Sequence, residues 1–262
     1  MTARIGFDNL ARRPEAMALA YAGSTGTNAP PSRLLTPDLT ECWRSAPGVF
    51  ATWIEIRLPE PGEIDTVALV GTNLRPTASG RLRIGVGDIA DPDNTTHDSG
   101  DRALGVVDPW GLAVWCLDMP VLGDVIRIDL EDLGVDENAL EVPRVWVTKA
   151  WRPDRWYDFG YQQTVSDLSQ VSRSRYSGAV FSDERPIVRG YRLDFKVMSE
   201  ADRNEARRLH RLCGSSREML LCLDEQSPAL GEDTLLVMPT GQPIAHDNPR
   251  SWSWTLECEE RL

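Results

Sequence analysis

Only one segment of this chain has a convincing helical pattern, and that limits the folds that the sequence can adopt. Between Ser199 and Cys213, an N-capping serine precedes a narrow apolar stripe, and Gly214 follows at the position that favours a left-handed residue. Asp202 stands three residues after Ser199, as in a capping box. Elsewhere, short apolar and polar alternations lie between turns rich in Gly, Pro and Asp. The sequence therefore predicts a mainly β chain with one helix.

The elements predicted for residues 1–151 are mainly strands. In residues 53–58, Trp53, Glu55 and Arg57 alternate with three aliphatic residues, which is typical of a half-buried strand. Other predicted strands cover residues 64–70, 81–86, 113–117, 125–130 and 144–151. Between them we predict a turn at 59–62 and a polar loop at 88–101. Several short strands at this spacing favour an antiparallel sandwich.

A junction near Trp151-Arg152-Pro153 divides the chain, because Pro153 cannot donate to a strand ladder. The stretch that follows, up to Ser174, is polar and rich in Gln and Ser. The sequence thus predicts a first domain of residues 1–152 and a second of 153–262. In the second domain, strands at 176–181, 188–197, 218–223, 234–238 and 251–258 surround the helix at 199–213, with a turn at 182–186. This order is typical of an α+β domain.

Charge and composition exclude several partners. The net charge is −12 and the isoelectric point is about 4.8, which argues against a nucleic-acid partner. No run approaches the roughly 20 apolar residues of a membrane span. The first residues lack a signal-peptide core, so we expect folding in a host cytoplasm. The five cysteines are odd in number and have no paired spacing, which predicts buried free thiols.

No arrangement of residues predicts catalysis. The three histidines, His97, His210 and His246, lie far apart and no serine-nucleophile motif accompanies them. Phosphate-loop and zinc-site spacings do not occur, so we predict no enzyme activity, no catalytic residue, no metal and no cofactor. One acidic segment has oxygen ligands that Ca²⁺ prefers, but its spacing does not fit an EF-hand loop, which favours a solvated loop. Its residues are Asp88, Asp91, Asp93, Asn94 and Asp98.

Aromatic side chains near loops can stack on sugar rings or anchor a neighbouring chain. Trp110 falls in a predicted turn, whereas Trp115 falls on an apolar strand and is expected in the core. The predicted carbohydrate-binding residues are Asn73, Arg75, His97, Arg102 and Trp110.

Residues 7–151 resemble the galactose-binding-like sandwich of discoidin and coagulation-factor C domains. The matching segments are Cys42-Trp43-Arg44-Ser45, 52–58, 64–69, 124–130 and 142–151. The paired terminal cysteines of that family are absent here. The resemblance implies a jelly-roll sandwich that serves as a decoration or as a carbohydrate-binding module.

Residues 151–262 resemble the C-terminal parts of minor tail proteins of tailed phages or of gene-transfer-agent-like particles. The similarity lies in Trp151-Arg152-Pro153, 173–178, 183–186 with 191–195, the helix at 199–213 with 212–216, and the final strand at 252–259. It implies a tail-tube-like, ring-forming domain and a virion protein of the tail tip or baseplate. The partners would be copies of itself, in a ring of three or six, other tail proteins and a host-surface glycan.

Two alternatives stay open beside that interpretation. One is a stand-alone, lectin-like carbohydrate-binding protein. The other is a hydrolase that uses acidic pairs, which no residue spacing supports.

Overall fold

The structure is a computed structural model that describes residues 2–21, 25–89, 92–107, 110–133, 139–241, 243–248 and 251–261. The chain forms two compact units, residues 1–152 with 220–235 and residues 153–219 with 236–262. The division into domains 1–152 and 153–262 stays a prediction, because compactness within one chain does not show that either segment folds alone.

Strands account for most of the regular structure, and the described residues contain one α-helix, α1 (Glu200–Cys213). The predicted mainly β fold class with one helix is confirmed. Short 3₁₀ helices cover Leu10–Arg12, Pro31–Leu35 and Pro92–Asn94. The strands are β1 (Arg4–Gly6), β2 (Met17–Ala20), β3 (Trp43–Arg44), β4 (Ala51–Val70), β5 (Ser79–Gly85), β6 (Thr95–Asp98), β7 (Arg102–Ala103), β8 (Ala113–Glu131), β9 (Glu141–Val142), β10 (Arg144–Thr148), β11 (Gln162–Asp167), β12 (Gln170–Arg173), β13 (Val180–Asp183), β14 (Ile187–Met198), β15 (Met219–Cys222), β16 (Thr234–Gly241), β17 (Ile244–Asn248) and β18 (Ser251–Glu260).

Two long antiparallel strands, β4 and β8, organise the first unit. They pair from Ala51↔Glu131 to Leu69↔Ala113, with register shifts between Arg57 and Gly62 and again between Ile64 and Thr66. The predicted turn at residues 59–62 is wrong, since this segment lies inside β4. Its two prolines stand where the register is interrupted, so they cost the ladder no regular hydrogen bond. Irregularities of this kind bend a strand pair.

Different strands flank the two halves of this bent pair. On the first half of β4 lies β2, and β5 pairs with the second half of β8 and carries β6 and β7. On the second half of β4 lies β10. The predicted loop at 88–101 is partly wrong, because it contains β6. This strand escaped the sequence pattern because its four residues, Thr-Thr-His-Asp, lie at the edge of the sheet and are largely polar.

The core of the first unit draws side chains from both halves of the pair. Ile54 and Ile56 of β4 face Ile128 and Ile126 of β8 at one end, and all four are fully buried. The same apolar cluster includes Trp43, Val67, Leu69, Leu82, Trp115, Val145 and Val147. Trp115 is thus a core residue, as expected.

A buried arginine joins distant segments of the first unit. Arg4 lies on β1, which pairs with β15. Its guanidinium donates to the Asp65 carbonyl (2.8 Å), to Thr66 Oγ1 (3.2 Å) and to the Leu117 carbonyl (2.7 Å). It also forms an ion pair with Glu225. Burial makes these charges dependent on one another, because neither partner has bulk water to replace the other.

We expect Arg4→Met to lower the free energy of unfolding by up to about 3–5 kcal/mol, because Asp65 and Glu225 lose their buried cation and keep only the partly exposed Arg152, at 3.7 and 3.8 Å. Urea unfolding followed by tryptophan fluorescence measures the change. Arg13→Met is the matched control: Arg13 pairs with Glu60 (3.2 Å) at the surface, and its loss should cost less than about 1 kcal/mol. Equal losses in the two variants would contradict this role for Arg4.

In the second unit, β14 lies between β11 and β18, and residues 237–241 of β16 and strand β17 also pair with β18. Helix α1 begins after Ser199, whose Oγ accepts from the Asp202 N–H (3.1 Å). The helix contacts β14 and β18 and buries Ala206, Leu209 and Cys213. None of the helices within the described residues is long and apolar enough to cross a membrane.

The polar stretch up to Ser174, for which no strand was predicted, contains β11 and β12. β11 pairs with β14, and β12 pairs with β13 through a turn closed by Ser174 N–H to the Ala179 carbonyl (2.9 Å). The predicted strand at 176–181 and the predicted turn at 182–186 are misplaced, because Tyr176 lies in the turn and Ser182 and Asp183 belong to β13. Sequence periodicity missed β11 and β12 because every residue in them is exposed.

Candidate functional site

Two of the predicted carbohydrate-binding residues hold loops together. The Asn73 side-chain amide donates to the Ala139 carbonyl (2.8 Å), and its oxygen accepts from the Glu141 N–H (2.8 Å). The Arg75 N–H and Nε both donate to the buried Asp132 carboxylate, at 2.9 and 3.4 Å. These bonds join loops of the first unit through polar atoms of both side chains.

Trp110 lies in a turn that is bonded to the loop of Asn73, and Arg102 contacts strand β8. The Gly111 carbonyl, next to Trp110, accepts from both the N–H (2.8 Å) and Oγ1 (3.0 Å) of Thr72, so the turn of Trp110 is joined to the loop of Asn73. The Arg102 guanidinium lies 5.3 Å from the centre of the Trp115 ring and donates to the Val114 carbonyl. Burial lowers the pKa of Arg102.

His97 lies on β6 opposite Ile84 and lines a depression of about 370 Å³ with Arg81, Arg83 and Asp98. None of the other predicted residues lines this depression, but Arg102 on β7 is near enough for its charge to act on His97. The structure thus brings Asn73 and Trp110 onto bonded loops and His97 within electrostatic range of Arg102. A role in carbohydrate binding stays a prediction for all five residues.

The acidic segment does not form a metal site in the part of the chain that the structure describes. Among those residues, no group of three or more His, Cys, Asp or Glu side chains is placed to hold an ion. Asp91 lies outside the described residues. Asp98 instead accepts from Arg81 Nε (2.8 Å), and this hydrogen bond lowers the pKa of Asp98 to about 2.

All five cysteines are free thiols, and four of them are buried, as the sequence predicts. Cys116 and Cys222 lie close enough to share a hydrogen bond, which lowers the pKa of Cys116 and raises the pKa of Cys222. Desolvation raises the pKa of Cys258 to about 12.

Burial of His97 predicts a pH dependence of stability. Desolvation lowers the pKa of His97, an effect that Asp98 partly opposes and Arg102 reinforces. The unfolded chain therefore binds a proton that the folded chain does not, as pH falls from above the usual histidine pKa of about 6.5. We expect His97→Gln to reduce the loss of unfolding free energy between pH 8 and pH 5, measured by urea titration. Parallel pH profiles for the variant and the unchanged protein would contradict it.

A second surface of the first unit combines aromatic and acidic residues that the sequence did not bring together. The Tyr21 N–H donates to the Trp53 carbonyl (3.2 Å), and Trp53 is the direct cross-strand partner of Asp129. Because Ile54 and Ile128 point into the core, these three side chains lie on the opposite face of the sheet. Tyr21 is 55% exposed and Trp53 is half-buried.

These residues line a cleft of about 390 Å³, which we call the aromatic cleft. The Tyr21 and Trp53 ring centres are 6.4 Å apart, with an angle of 51° between the ring planes. Three carboxylates complete the lining, from Asp101, Asp129 and Glu131. The remaining lining residues are Ala51, Thr52, Ser79, Gly80 and Leu130.

Two arginines fix the aromatic and acidic groups of the cleft. The Arg127 guanidinium lies 4.3 Å from the centre of the Trp53 ring, and its Nε donates to Asp129 Oδ1 (3.3 Å). Arg83 donates to the other oxygen of the same carboxylate (2.7 Å). A carboxylate that accepts two hydrogen bonds keeps lone pairs for further donors. The cleft therefore suits a ligand with an apolar face and several hydroxyl groups.

Sequence reasoning missed this cleft because its residues come from separate strands. The sequence pattern places Trp53 on the polar side of a strand, and for residues 17–21 it is compatible with either a short strand or a helical turn. The signal that links them is the pairing of β2, β4 and β8, which no local pattern contains.

Comparisons with known proteins give similarities of fold. No protein-family model matches the chain, and no curated protein matches it significantly. The CpGH89CBM32-6 protein produced by Clostridium perfringens is 12% identical, with a TM-score of 0.40, over 54% of this chain and 99% of that chain. A chitosan-binding module from a chitosanase/glucanase of Paenibacillus sp. IK-5 is 19% identical, with a TM-score of 0.41, over 54% and 98%.

A third similar structure is the family 32 CBM from Clostridium perfringens NanJ in complex with galactose. It is 15% identical, with a TM-score of 0.41, over 52% of this chain and 94% of that chain. These similarities are limited to the fold of about half the chain.

Proposed function

We propose that this chain is a non-catalytic binding protein whose first unit binds carbohydrate in the aromatic cleft. The observation that supports the proposal is the arrangement of Tyr21 and Trp53 beside Asp129 in one row of the sheet. Aromatic rings with polar neighbours are typical of ligand sites that need both apolar contact and orientation.

Sugar rings have the two properties that this cleft can recognise. Their C–H groups form an apolar face that packs on an aromatic ring, while their hydroxyls donate at the edge. The carboxylates of Asp101, Asp129 and Glu131 are acceptors for those hydroxyls. Because Asp129 is already held by two arginines, binding orders few further groups, which limits the entropy cost of association.

The proposal predicts that Tyr21→Ala weakens glycan binding by about tenfold or more, since it removes one of the two rings that line the cleft. A glycan array identifies the ligand, and titration calorimetry with that glycan measures the affinity. Trp110→Ala is the control, because it removes an aromatic side chain from the loop that the sequence predicted as the site.

Each outcome of this pair is decisive. Loss with Tyr21→Ala and retention with Trp110→Ala support the aromatic cleft. The reverse result would move the site to the loops of Asn73 and Trp110. An array on which the unchanged protein binds no glycan would end the proposal.

A second proposal concerns the whole chain: a structural protein of a phage tail tip or baseplate, located in the virion and assembled in a ring with other tail proteins. It is favoured by the large apolar side chains that the second unit exposes between Phe159 and Ile187. Exposed apolar surface of this extent is typical of subunits that are covered in an assembly.

We expect peptides of this chain in mass spectra of purified, nuclease-treated tailed particles from a culture that expresses it. Copy numbers should be multiples of the ring order, three or six, relative to a protein present once per particle. Spectra with full coverage of other tail proteins but without these peptides would contradict the assignment.

A further inference from the structure

Two cysteines of the first unit, Cys116 and Cys222, lie on different strands beside the buried side chain of Arg4. Cys222 on β15 is the direct cross-strand partner of Arg4 on β1. Cys116 on β8 is the direct cross-strand partner of Thr66 on β4. Residues directly opposite each other in an antiparallel pair have their side chains on one face, with Cβ atoms about 5 Å apart. Cys222 is therefore a neighbour of Arg4, and Cys116 is a neighbour of Thr66.

The Arg4 side chain brings these two strand pairs together. Its Nη1 donates to Thr66 Oγ1 (3.2 Å), and its Nη2 donates to the carbonyl of Leu117 (2.7 Å), the residue after Cys116. Because Thr66 Oγ1 faces Arg4, the side chain of Cys116 on the same face of the β4–β8 pair also points toward β1 and β15. The thiols of Cys116 and Cys222 meet there and share a hydrogen bond.

The other three cysteines have different neighbours. The sulfur of Cys42 accepts from Arg44 Nε (3.3 Å). The thiol of Cys213 lies 4.0 Å from the carbonyl of Glu218. Cys258 lies on β18 and is 3% exposed. These three thiols are internal controls for the pair on β8 and β15.

The two paired thiols differ in exposure and in acidity. Cys116 is partly exposed, whereas Cys222 is 1% exposed. The shared hydrogen bond lowers the pKa of Cys116, an effect that burial opposes and the cation of Arg4 favours. The same hydrogen bond raises the pKa of Cys222, and desolvation raises it further. Since the thiolate is the form of cysteine that oxidants attack, Cys116 is the thiol of this pair that a small oxidant reaches first.

We propose that Cys116 and Cys222 are a redox-active thiol pair that a small hydroperoxide oxidises to a reversible disulfide. The disulfide would join β8 to β15 beside the contacts of Arg4. This inference goes beyond the carbohydrate and tail proposals, and it holds or fails without either of them.

With hydrogen peroxide, the reaction takes place in two steps. The Cys116 thiolate attacks one peroxide oxygen, the O–O bond breaks, and the hydroxide that leaves takes up the former thiol proton to give water. Cys116 is then a sulfenic acid. The sulfur of Cys222 loses its proton and attacks the sulfur of Cys116, and the S–OH group leaves with that proton as a second water. Two thiols and one peroxide thus give one disulfide and two waters, and two electrons pass from sulfur to oxygen.

The test is a peptide map of the full chain, because each of the five cysteines lies in a different tryptic peptide. The reduced protein is treated with hydrogen peroxide, its remaining thiols are blocked, and the peptides are analysed without reduction by mass spectrometry. We expect residues 103–127 to be linked to residues 218–250 through Cys116 and Cys222, with loss of two of the five thiols. Treatment with dithiothreitol should restore both.

A variant and its matched control identify the thiols that react. Cys116→Ser should abolish the linked peptide. Cys42→Ser removes a buried thiol of the same unit that lies beside Arg44, and it should leave the yield of the linked peptide unchanged. Circular dichroism shows whether each variant is folded, and the map of the unchanged protein is decisive even where a variant is not.

Three results would overturn the proposal. In the first, peroxide converts Cys116 to sulfinic acid and no linked peptide forms. In the second, Cys116 and Cys222 both stay reduced at a peroxide concentration that oxidises free cysteine. In the third, the folded protein forms disulfides through Cys42, Cys213 or Cys258 as readily as through the pair.

Discussion

The pairing of β4 with β8 is the constraint on which the first unit depends. Along residues 51–58 of β4 and 123–131 of β8, alternate side chains face the core and the other face of the sheet, whereas residues 64–70 of β4 are all buried. Ile54 and Ile128 face inward, and their neighbours Trp53 and Asp129 face outward. A slip of one residue would exchange the two sets, which would bury a carboxylate and expose the core. The aromatic cleft therefore exists because the core fixes the register.

A second constraint comes from charges that are buried in the first unit. Asp65 accepts from the Ala150 N–H (2.8 Å) and from Thr66 Oγ1 (2.9 Å), and the guanidinium of Arg4 lies 3.8 Å away. Replacement of such a cluster by apolar residues is often neutral for stability, so the cluster is weak evidence of net stabilisation. Its contacts join β1 and Glu225 to β4 and β8.

Local sequence patterns predicted the elements whose structure is determined by residues adjacent in the chain. The alternation in residues 53–58 predicted a strand, and Ser199 with Gly214 marked the ends of α1 to within a residue. The patterns failed where pairing between distant segments determines the secondary structure. The Pro59–Gly62 segment looks like a turn, yet β8 holds it in a bent strand. β11 and β12 have no strand pattern in the sequence, because no residue in them is buried, and only pairing with β14 and β13 reveals them.

The candidate site shows the same limit. Asn73 and Arg75 were predicted from their residue types in a loop, but their side chains bond to Ala139, Glu141 and Asp132. The cleft around Tyr21 and Trp53 needs three strands in register before its residues become neighbours. Residue type alone cannot distinguish a polar group that supports a loop from one that is available to a ligand.

The two exposed apolar surfaces differ in what surrounds them, and the difference indicates different partners. Around the aromatic cleft, arginines and carboxylates are fixed in place, so polar groups stand ready to orient a small ligand. On the hairpin of β12 and β13, Val171, Val180 and Phe181 are exposed on two faces of a strand pair, a surface that only an extended partner can cover. Fixed charges beside an apolar contact favour a small polar ligand, whereas apolar side chains spread over two faces favour a macromolecular one.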